Sequence, residues 1–498
     1  MSGEIGVVRD MGEGGVYPSS HGFARSGRVQ GVPSRPACRF GTARRGAARE
    51  TAVSSPGRDR GARGPDAAST AGPGVGYRAG AMAADNEARE GGSLVSKRVR
   101  DVLEGTGESW TRRMFELGRR LRAQGGGPVF DLSLGNPSLE PPPAFVAALR
   151  ELVEDPTPGR HRYMTNAGFP EVRAFVAERE SARFGLAIDA DDVVLSVGAA
   201  GGLAIVLRAL TDPGDEVVVP APYFSEYDHY CRHADVRLVA AETGDDFALD
   251  VEAIERVLSP RTRIVLLNSP NNPTGAIYGA RDLSRLADVL TGHATQDGRP
   301  PVLVEDAPYR DLVYDGSVPA SAMTVYPHTI HVTSHSKDLG LAGERIGYAV
   351  ISPRLADRRT VARALAYCNR TLGFVNAPAL MQRVLPKVLG RPDGRVDVGV
   401  YARRARRLRA GLVGLGFAVP EPRAGFFLFP RLPDAVVART PEGQAADVAF
   451  AERLVARRCI VVPGSAFGVE NHLRLSVATD DAAIDGALAA IEAELATR

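Results

Sequence analysis

Cysteine is scarce in this chain. Its 498 residues hold four, Cys38, Cys231, Cys368 and Cys459, widely spaced and with no C-x-x-C pair among them. Such usage argues against a disulfide framework and a thiolate zinc site, and it fits a reducing compartment such as the cytoplasm. No metal site is expected. Long apolar runs are also missing; none reaches the length of a membrane-spanning helix, about 18 residues. Excess charge of one sign is absent as well, since the net charge is only +2. A chain so nearly balanced carries no electrostatic footprint for nucleic acid or a membrane surface. Two phosphate-binding signatures fail too. No glycine-rich loop ends in G-K-[ST], and none has the spacing of a dinucleotide fingerprint.

What is present is a globular composition, 44% apolar and 24% charged, over a length that suits two or three domains. Residues 1–92 are a different material. They are rich in Gly, Arg, Ala, Pro and Ser and show neither helical nor strand periodicity, so a disordered extension is expected. Arg44-Arg45 is followed by no apolar segment, and Glu4, Asp10 and Glu13 do not suit an organellar transit peptide. The arginines are scattered among acids without an aromatic stacking pattern. A start at Met82 is the plain alternative.

From about Val193 to Ile351, short apolar strands alternate with helices. That alternation predicts an α/β fold with a mostly parallel sheet covered on both faces. Strands are expected at 193–197, 216–219, 263–267, 301–305, 329–333 and 348–351. Upstream, helices are expected at 110–123, 141–154 and 170–184, with a strand at 129–134. A helix is expected to begin at Leu203 after a small-residue turn. Past residue 390 the expected pattern is helix, strand, strand, helix, with strand character at 425–429, 460–462 and 472–478. The basic run Arg403–Arg409 reads as a solvated helix face.

The chemistry collects at the strand ends. Ser334-His335-Ser336-Lys337-Asp338-Leu339-Gly340-Leu341-Ala342-Gly343-Glu344-Arg345-Ile346-Gly347 joins two strands. A desolvated lysine there loses its proton, and the free amine forms a Schiff base with an aldehyde. Arg345 offers a fork to a phosphate, and Ser334 a hydroxyl. Aldehyde plus phosphate suggests pyridoxal 5′-phosphate. His335 has no evident task beyond packing. Gly198-Ala199-Ala200-Gly201-Gly202 leaves helix N–H groups for a phosphate, or serves tight strand-to-helix packing. Tyr223 and Phe224 suit a flat heteroaromatic ring or a core. The prolines around Asn271-Asn272 fix an amide toward a phenolate oxygen, or form a plain turn. Asp306, at a strand end, needs a cationic partner if buried, and a protonated pyridine nitrogen is one. Arg474, inward on a strand, implies a buried anion or an ion pair.

The lysine run closely resembles the signature of the class I/II aminotransferases, pyridoxal phosphate enzymes of fold type I. Other blocks follow in family order: Gly135-Asn136-Pro137, Tyr163 through Gly168-x-Pro170-x-x-Arg173, Pro222-x-Phe224, Asn271-Asn272-Pro273-Thr274-Gly275, Asp306-x-x-Tyr309 and Arg474-Leu475-x-x-Ala478. The resemblance covers nearly everything from Ser93 onward. It implies a large domain over 143–388 with a mostly parallel seven-stranded sheet, and a smaller α+β domain from 93–142 and 389–498. It implies transamination between an amino acid and a 2-oxo acid through a Lys337 aldimine. Asp306 would hold the ring nitrogen, Phe224 stack on the ring, and Asn272 and Tyr309 bond its phenolate. Gly135, Asn272 and Arg474 would hold the substrate. Gly198, Ala199, Ala200, Ser334 and Arg345 would hold the phosphate, with Tyr163 reaching that of a partner in a homodimer. Ser-Lys-Asp-Leu-Gly-Leu also resembles the aminocyclopropane carboxylate synthases, so elimination or cyclisation, with S-adenosylmethionine as a substrate, is the alternative. A pyridoxal phosphate-binding regulator would need a helix-turn-helix, whose periodicity the sequence of residues 1–92 does not show.

Overall fold

A computed structural model gives the structure and describes residues 94–104, 110–244, 246–293 and 295–497. The expected extension, 1–92, lies outside the described residues. Helices α1 (Lys97–Glu104) and α2 (Trp110–Gln124) come first, followed by the two-residue strand β1 (Phe130–Asp131). This strand is shorter than the expected 129–134. Ser133 turns both its N–H and its hydroxyl onto the Asp131 carboxylate and leaves the ladder. Helices α3 (Pro143–Glu154) and α4 (Pro170–Phe184) each open on proline, whose fixed φ suits a first turn. The first begins at Pro143, not Pro141, because a residue that precedes proline is pushed out of the helical region.

Then strands and helices alternate: β2 (Val193–Val197), α5 (Gly198–Leu210), β3 (Glu216–Pro220), α6 (Glu226–Ala234), β4 (Arg237–Ala241), α7 (Val251–Val257), β5 (Thr262–Asn268), α8 (Ala280–Gly292), β6 (Val302–Asp306), β7 (Thr329–Ser334) and β8 (Ile346–Ile351). They build one seven-stranded sheet in the order β2-β8-β7-β6-β5-β3-β4. Only β8 runs antiparallel to its neighbours. Strand side chains alternate between faces, so Val217, Ile264, Leu266, Val302 and Val304 meet α5 and α6 on one side. Val218, Val265, Leu267 and Leu303 meet α7 and α8 on the other. All seven residues of β5 are buried, as a central strand with two covered faces requires. The edge strand β4 was not anticipated; its pattern, Arg-Leu-Val-Ala-Ala, is only partly buried.

The rest comprises α9 (Arg358–Thr371), α10 (Ala379–Leu389), α11 (Val398–Gly414), β9 (Phe427–Leu428), α12 (Asp434–Ala438), α13 (Ala446–Ala456), β10 (Cys459–Ile460), β11 (Val462–Pro463), β12 (Leu473–Ser476) and α14 (Asp481–Leu495). The expected pattern lacked α12 and α13, and the strand expected over 425–429 shrinks to Phe427–Leu428. β1 pairs with β10, and β11-β12-β9 form a second small sheet. On α11, Arg404 and Arg407 face Asp481 and Asp485 of α14, so part of the basic run is spent on surface ion pairs. No helix among the described residues is long and apolar enough to cross a membrane.

Strand β8 lies tightly against its surroundings at Gly347, which pairs with Ser334. A Cβ there would stand 2.5 Å from Thr333 O and 2.8 Å from the Gly198 carbonyl carbon, both backbone atoms that cannot swing aside. Gly347→Ala is expected to lower stability by about 1–3 kcal/mol. A denaturation midpoint equal to that of wild type would contradict this packing.

Candidate active site

The parallel strands point their carboxyl ends to one edge of the sheet, where crevices of such folds take ligands. β2 runs into Gly198, β3 into the Pro222–Phe224 turn, β5 into the Asn268–Gly275 loop, β6 into Asp306–Tyr309 and β7 into Ser334–Lys337. The antiparallel β8 leaves the same edge just after Arg345. Lys337 sits in the turn between β7 and β8. Its Nζ donates to Gly135 O at 2.6 Å and lies 5.2 Å from the centre of the Phe426 ring and 5.9 Å from that of Tyr309. Burial, and then the charges of Arg345 and Arg474, lower its amine to about 8.

Asp306 ends β6 and is 4% exposed. Tyr227, in the first turn of α6, donates to its Oδ2 at 2.6 Å. The other oxygen, Oδ1, is buried without a hydrogen-bond partner. Burial pushes this carboxyl up to about 6 against the Tyr227 bond. Asn268 stitches the neighbourhood together: its Nδ2 donates to Asp306 O at 2.7 Å, and its Oδ1 accepts from Asn272 N at 2.6 Å. Asn272 Oδ1 in turn accepts from Arg474 Nη1 at 3.1 Å.

Arg474 lies on β12 and is 1% exposed. Its Nη2 donates to Ser133 O at 2.5 Å, and its guanidinium stacks over Phe427 and Phe467 at 4.4 and 4.8 Å. Its Nε has no partner. No carboxylate among the described residues pairs with it, so the ion-pair alternative does not hold. Burial lowers even this guanidinium to about 10.

Arg345 adopts a left-handed backbone, φ 53°, a conformation that costs a side-chain-bearing residue roughly 1–2 kcal/mol. Its Nη1 donates to Ala342 O at 2.9 Å, and its Nη2 approaches Val197 O at 3.3 Å. A Cβ on Gly198, φ 69°, would stand 2.7 Å from that guanidinium, so only glycine lets helix and arginine meet. Here α5 begins at Gly198 and not at Leu203, so Gly198, Ala199 and Ala200 form its first turn. Gly202, one turn on, serves packing: a Cβ there would stand 2.7 Å from Val332 Cγ1. Ser334 Oγ donates to Ser336 Oγ at 3.1 Å.

Phe224 stands edge-on to Tyr227, 5.5 Å between centres, and it is Tyr227 whose hydroxyl reaches Asp306. Tyr223 turns to Asp228 at 3.2 Å. Tyr309 is buried edge-on to Phe426. Tyr163 is 89% exposed and lies on the surface of this chain. His335 is buried, with Nδ1 2.9 Å from Asp338 Oδ2, which gives it a bonded place in the loop. Sequence reasoning missed Tyr227, Asn268 and Phe426. The first lies on a helix whose facing strand, β6, is 79 residues away along the chain, and no local pattern carries such a pairing.

The mostly parallel seven-stranded sheet with its flanking helices is that of fold type I pyridoxal phosphate enzymes. Within that class the chain belongs to a defined family: residues 127–491 match the sequence model described as aminotransferase class I and II. It is 31% identical over 395 residues to the aspartate aminotransferase of Rhizobium meliloti strain 1021, covering 76% of this chain and 92% of that protein. It is 29% identical over 393 residues to the aspartate/prephenate aminotransferase of Thermus thermophilus, covering 78% of this chain and 95% of that one. A solved amino transferase from Eubacterium rectale superposes with TM-score 0.74 at 32% identity, over 81% of this chain and 98% of that one. The aspartate aminotransferase of Thermus thermophilus with maleate gives 0.71 at 29%, over 81% and 100%. The protein is a transferase enzyme of this family.

Lys337 is one of only three lysines in the chain, and the others, Lys97 and Lys387, are exposed. Amine-directed modification with peptide mass mapping therefore reads all three separately. The neutral amine is the nucleophile, so a lowered pKa moves the reactive form to lower pH. The rate at Lys337 should rise with pH and level off just above about 8. A rate still climbing well beyond that value would contradict a desolvated amine.

Proposed function

We propose that the protein transfers an amino group between an amino acid and a 2-oxo acid, with pyridoxal 5′-phosphate held at Lys337. The observation that carries this reading is the pair of buried groups left unmatched among the described residues: Asp306 Oδ1 without a donor and Arg474 without a carboxylate. The residues fit the cofactor. A protonated pyridine nitrogen would supply the missing donor to Asp306, and the first turn of α5 with Arg345 and Ser334 suits a phosphate. Tyr309 and Asn272 carry donors for a phenolate oxygen, and Phe224 a face for the ring. The cofactor, when bound, supplies a cationic ring that accepts the electrons of an amino acid's Cα–H bond.

The chain's own residues do the rest. Arg474 binds the substrate α-carboxylate, with Asn272 and the Gly135 backbone beside it. Asp306 keeps a cation next to it protonated by its own negative charge. Lys337, neutral above about pH 8, takes a proton from the substrate carbon and gives it back as the conjugate acid. The rings of Phe426, Phe427 and Phe467 keep water from these groups. Tyr163, exposed on its own chain, completes the site of a second copy in a homodimer. A large domain over 143–388 and a small one from 93–142 and 389–498 bring Arg474 and Gly135 to the sheet edge. The free, buried Cys231, Cys368 and Cys459 suit the reducing cytoplasm. Transamination ranks above elimination or cyclisation because the named relatives are aminotransferases.

The test begins with the visible spectrum of the protein incubated with pyridoxal 5′-phosphate. An absorbance band is expected in wild type and not in Lys337→Ala; no band in wild type would sink the reading. Aspartate, prephenate and LL-diaminopimelate, taken from the names of the relatives, are then paired with 2-oxo acids and amino donors and the products weighed. Arg474→Ala should raise KM for the amino acid by roughly 10–200-fold, the worth of a lost charge-assisted bond. Methylthioadenosine from S-adenosylmethionine would instead establish the elimination or cyclisation reading.

A further inference from the structure

Across the sheet from Asp306 lies a buried charge cluster that the chemistry above does not use. Its hub is Arg310, one residue past Tyr309 and 5% exposed. Nη1 and Nη2 grip the Glu180 carboxylate of α4 at 2.9 and 2.6 Å. Nη2 also donates to Tyr348 Oη on β8 at 2.8 Å, and Nη1 to His331 Nε2 on β7 at 2.6 Å. Arginine only donates, so His331 accepts at Nε2 and donates from Nδ1 to Glu305 Oε2 at 3.0 Å. Glu305 neighbours Asp306 on β6 and points to the opposite face. Burial pushes the Glu180 carboxyl up, but Arg310 outweighs this and holds it at about 2. The next residue, Asp311, accepts from Arg183 of α4 at 2.8 Å.

A buried ion pair contributes little net stability, because desolvation offsets its attraction, and a well-packed apolar pair does as well. What it adds is direction. A planar fork with fixed donors accepts its partners in one geometry. Here the partners sit on the strand that leads into the Lys337 loop, the strand that leaves Arg345, and a helix behind both. The fork itself grows from the turn that carries Asp306 and Tyr309.

We propose that Arg310 is a positioning residue: its one guanidinium registers the turn carrying Asp306 and Tyr309 against the two strands that bracket Lys337 and Arg345. This rests on the pyridoxal phosphate reading above. The test pairs Arg310→Met with Glu180→Leu, which leaves no buried charge unpaired, and adds Arg310→Lys, which keeps the charge without the fork. Melting temperature, the dissociation constant for pyridoxal 5′-phosphate by absorbance titration, and the pH at which the bound band changes are measured. The double variant should melt close to wild type, bind roughly 10–100-fold more weakly, as when ligand-orienting partners are lost elsewhere, and shift that pH. Arg310→Lys should recover part of the affinity. A folded double variant with wild-type affinity and wild-type pH response would overturn the proposal. Should the double variant not fold, Arg310→Lys decides: normal melting with weakened binding supports the proposal, and unchanged binding overturns it. Wild type without a band would fail the cofactor reading and this inference together; wild type with a band and variants that match it would fail this inference alone.

Discussion

Lys337 is half-buried in the company of two further cations, Arg345 and Arg474, and none of the three has a carboxylate paired to it among the described residues. Lost hydration and like charge both favour the neutral amine, which is why it titrates near 8. The same arrangement leaves two guanidinium groups near the amine, bonded to backbone carbonyls and the Asn272 amide oxygen and to no acid among the described residues. In the proposed function a doubly charged phosphate and a carboxylate would balance these charges. Asp306 is the mirror case, a buried carboxyl pushed up to about 6 with one oxygen unmatched. Under the proposed function, these opposite unmatched charges complement a ligand that carries both signs.

That gathering depends on parallel topology. Gly198, Asn272, Asp306 and Lys337 share one edge because successive parallel strands end there; Asn268 ties the β5 loop to the end of β6, and Arg474 reaches Asn272 from the small sheet. Close backbone packing at Gly198 and Gly347 keeps α5, β7 and β8 in register around the Lys337 turn. The Arg310 fork does from behind the sheet what these glycines do from within it.

Much of this was legible in the sequence, for local reasons. Central strands such as Thr262–Asn268 are buried on both faces, so they read as continuous apolar runs. Proline starts and glycine stops marked α4 closely, from Pro170 to its cap at Gly185. Where the reading failed, a non-local effect had won. Glycines that look like a turn at 198–202 lie in a helix, and Gly202 answers a non-local demand, the close approach of Val332. A strand expected at 129–134 stops early because Asp131 captures Ser133. Helices α12 and α13 went unread in a stretch where short apolar segments fit either period.

By itself, the sequence determined the alternation of strands and helices, and which chemical groups stand at the strand ends, because both follow from neighbours within a few residues. It named Lys337, Asp306 and Arg474 by type and position. Tertiary structure alone decided that Arg474 lacks an acidic partner among the described residues, that Tyr227 reaches Asp306, and that Arg310 joins four segments of chain. These are statements about desolvation and about contacts between residues tens to hundreds of positions apart, and neither quantity exists until the sheet has formed.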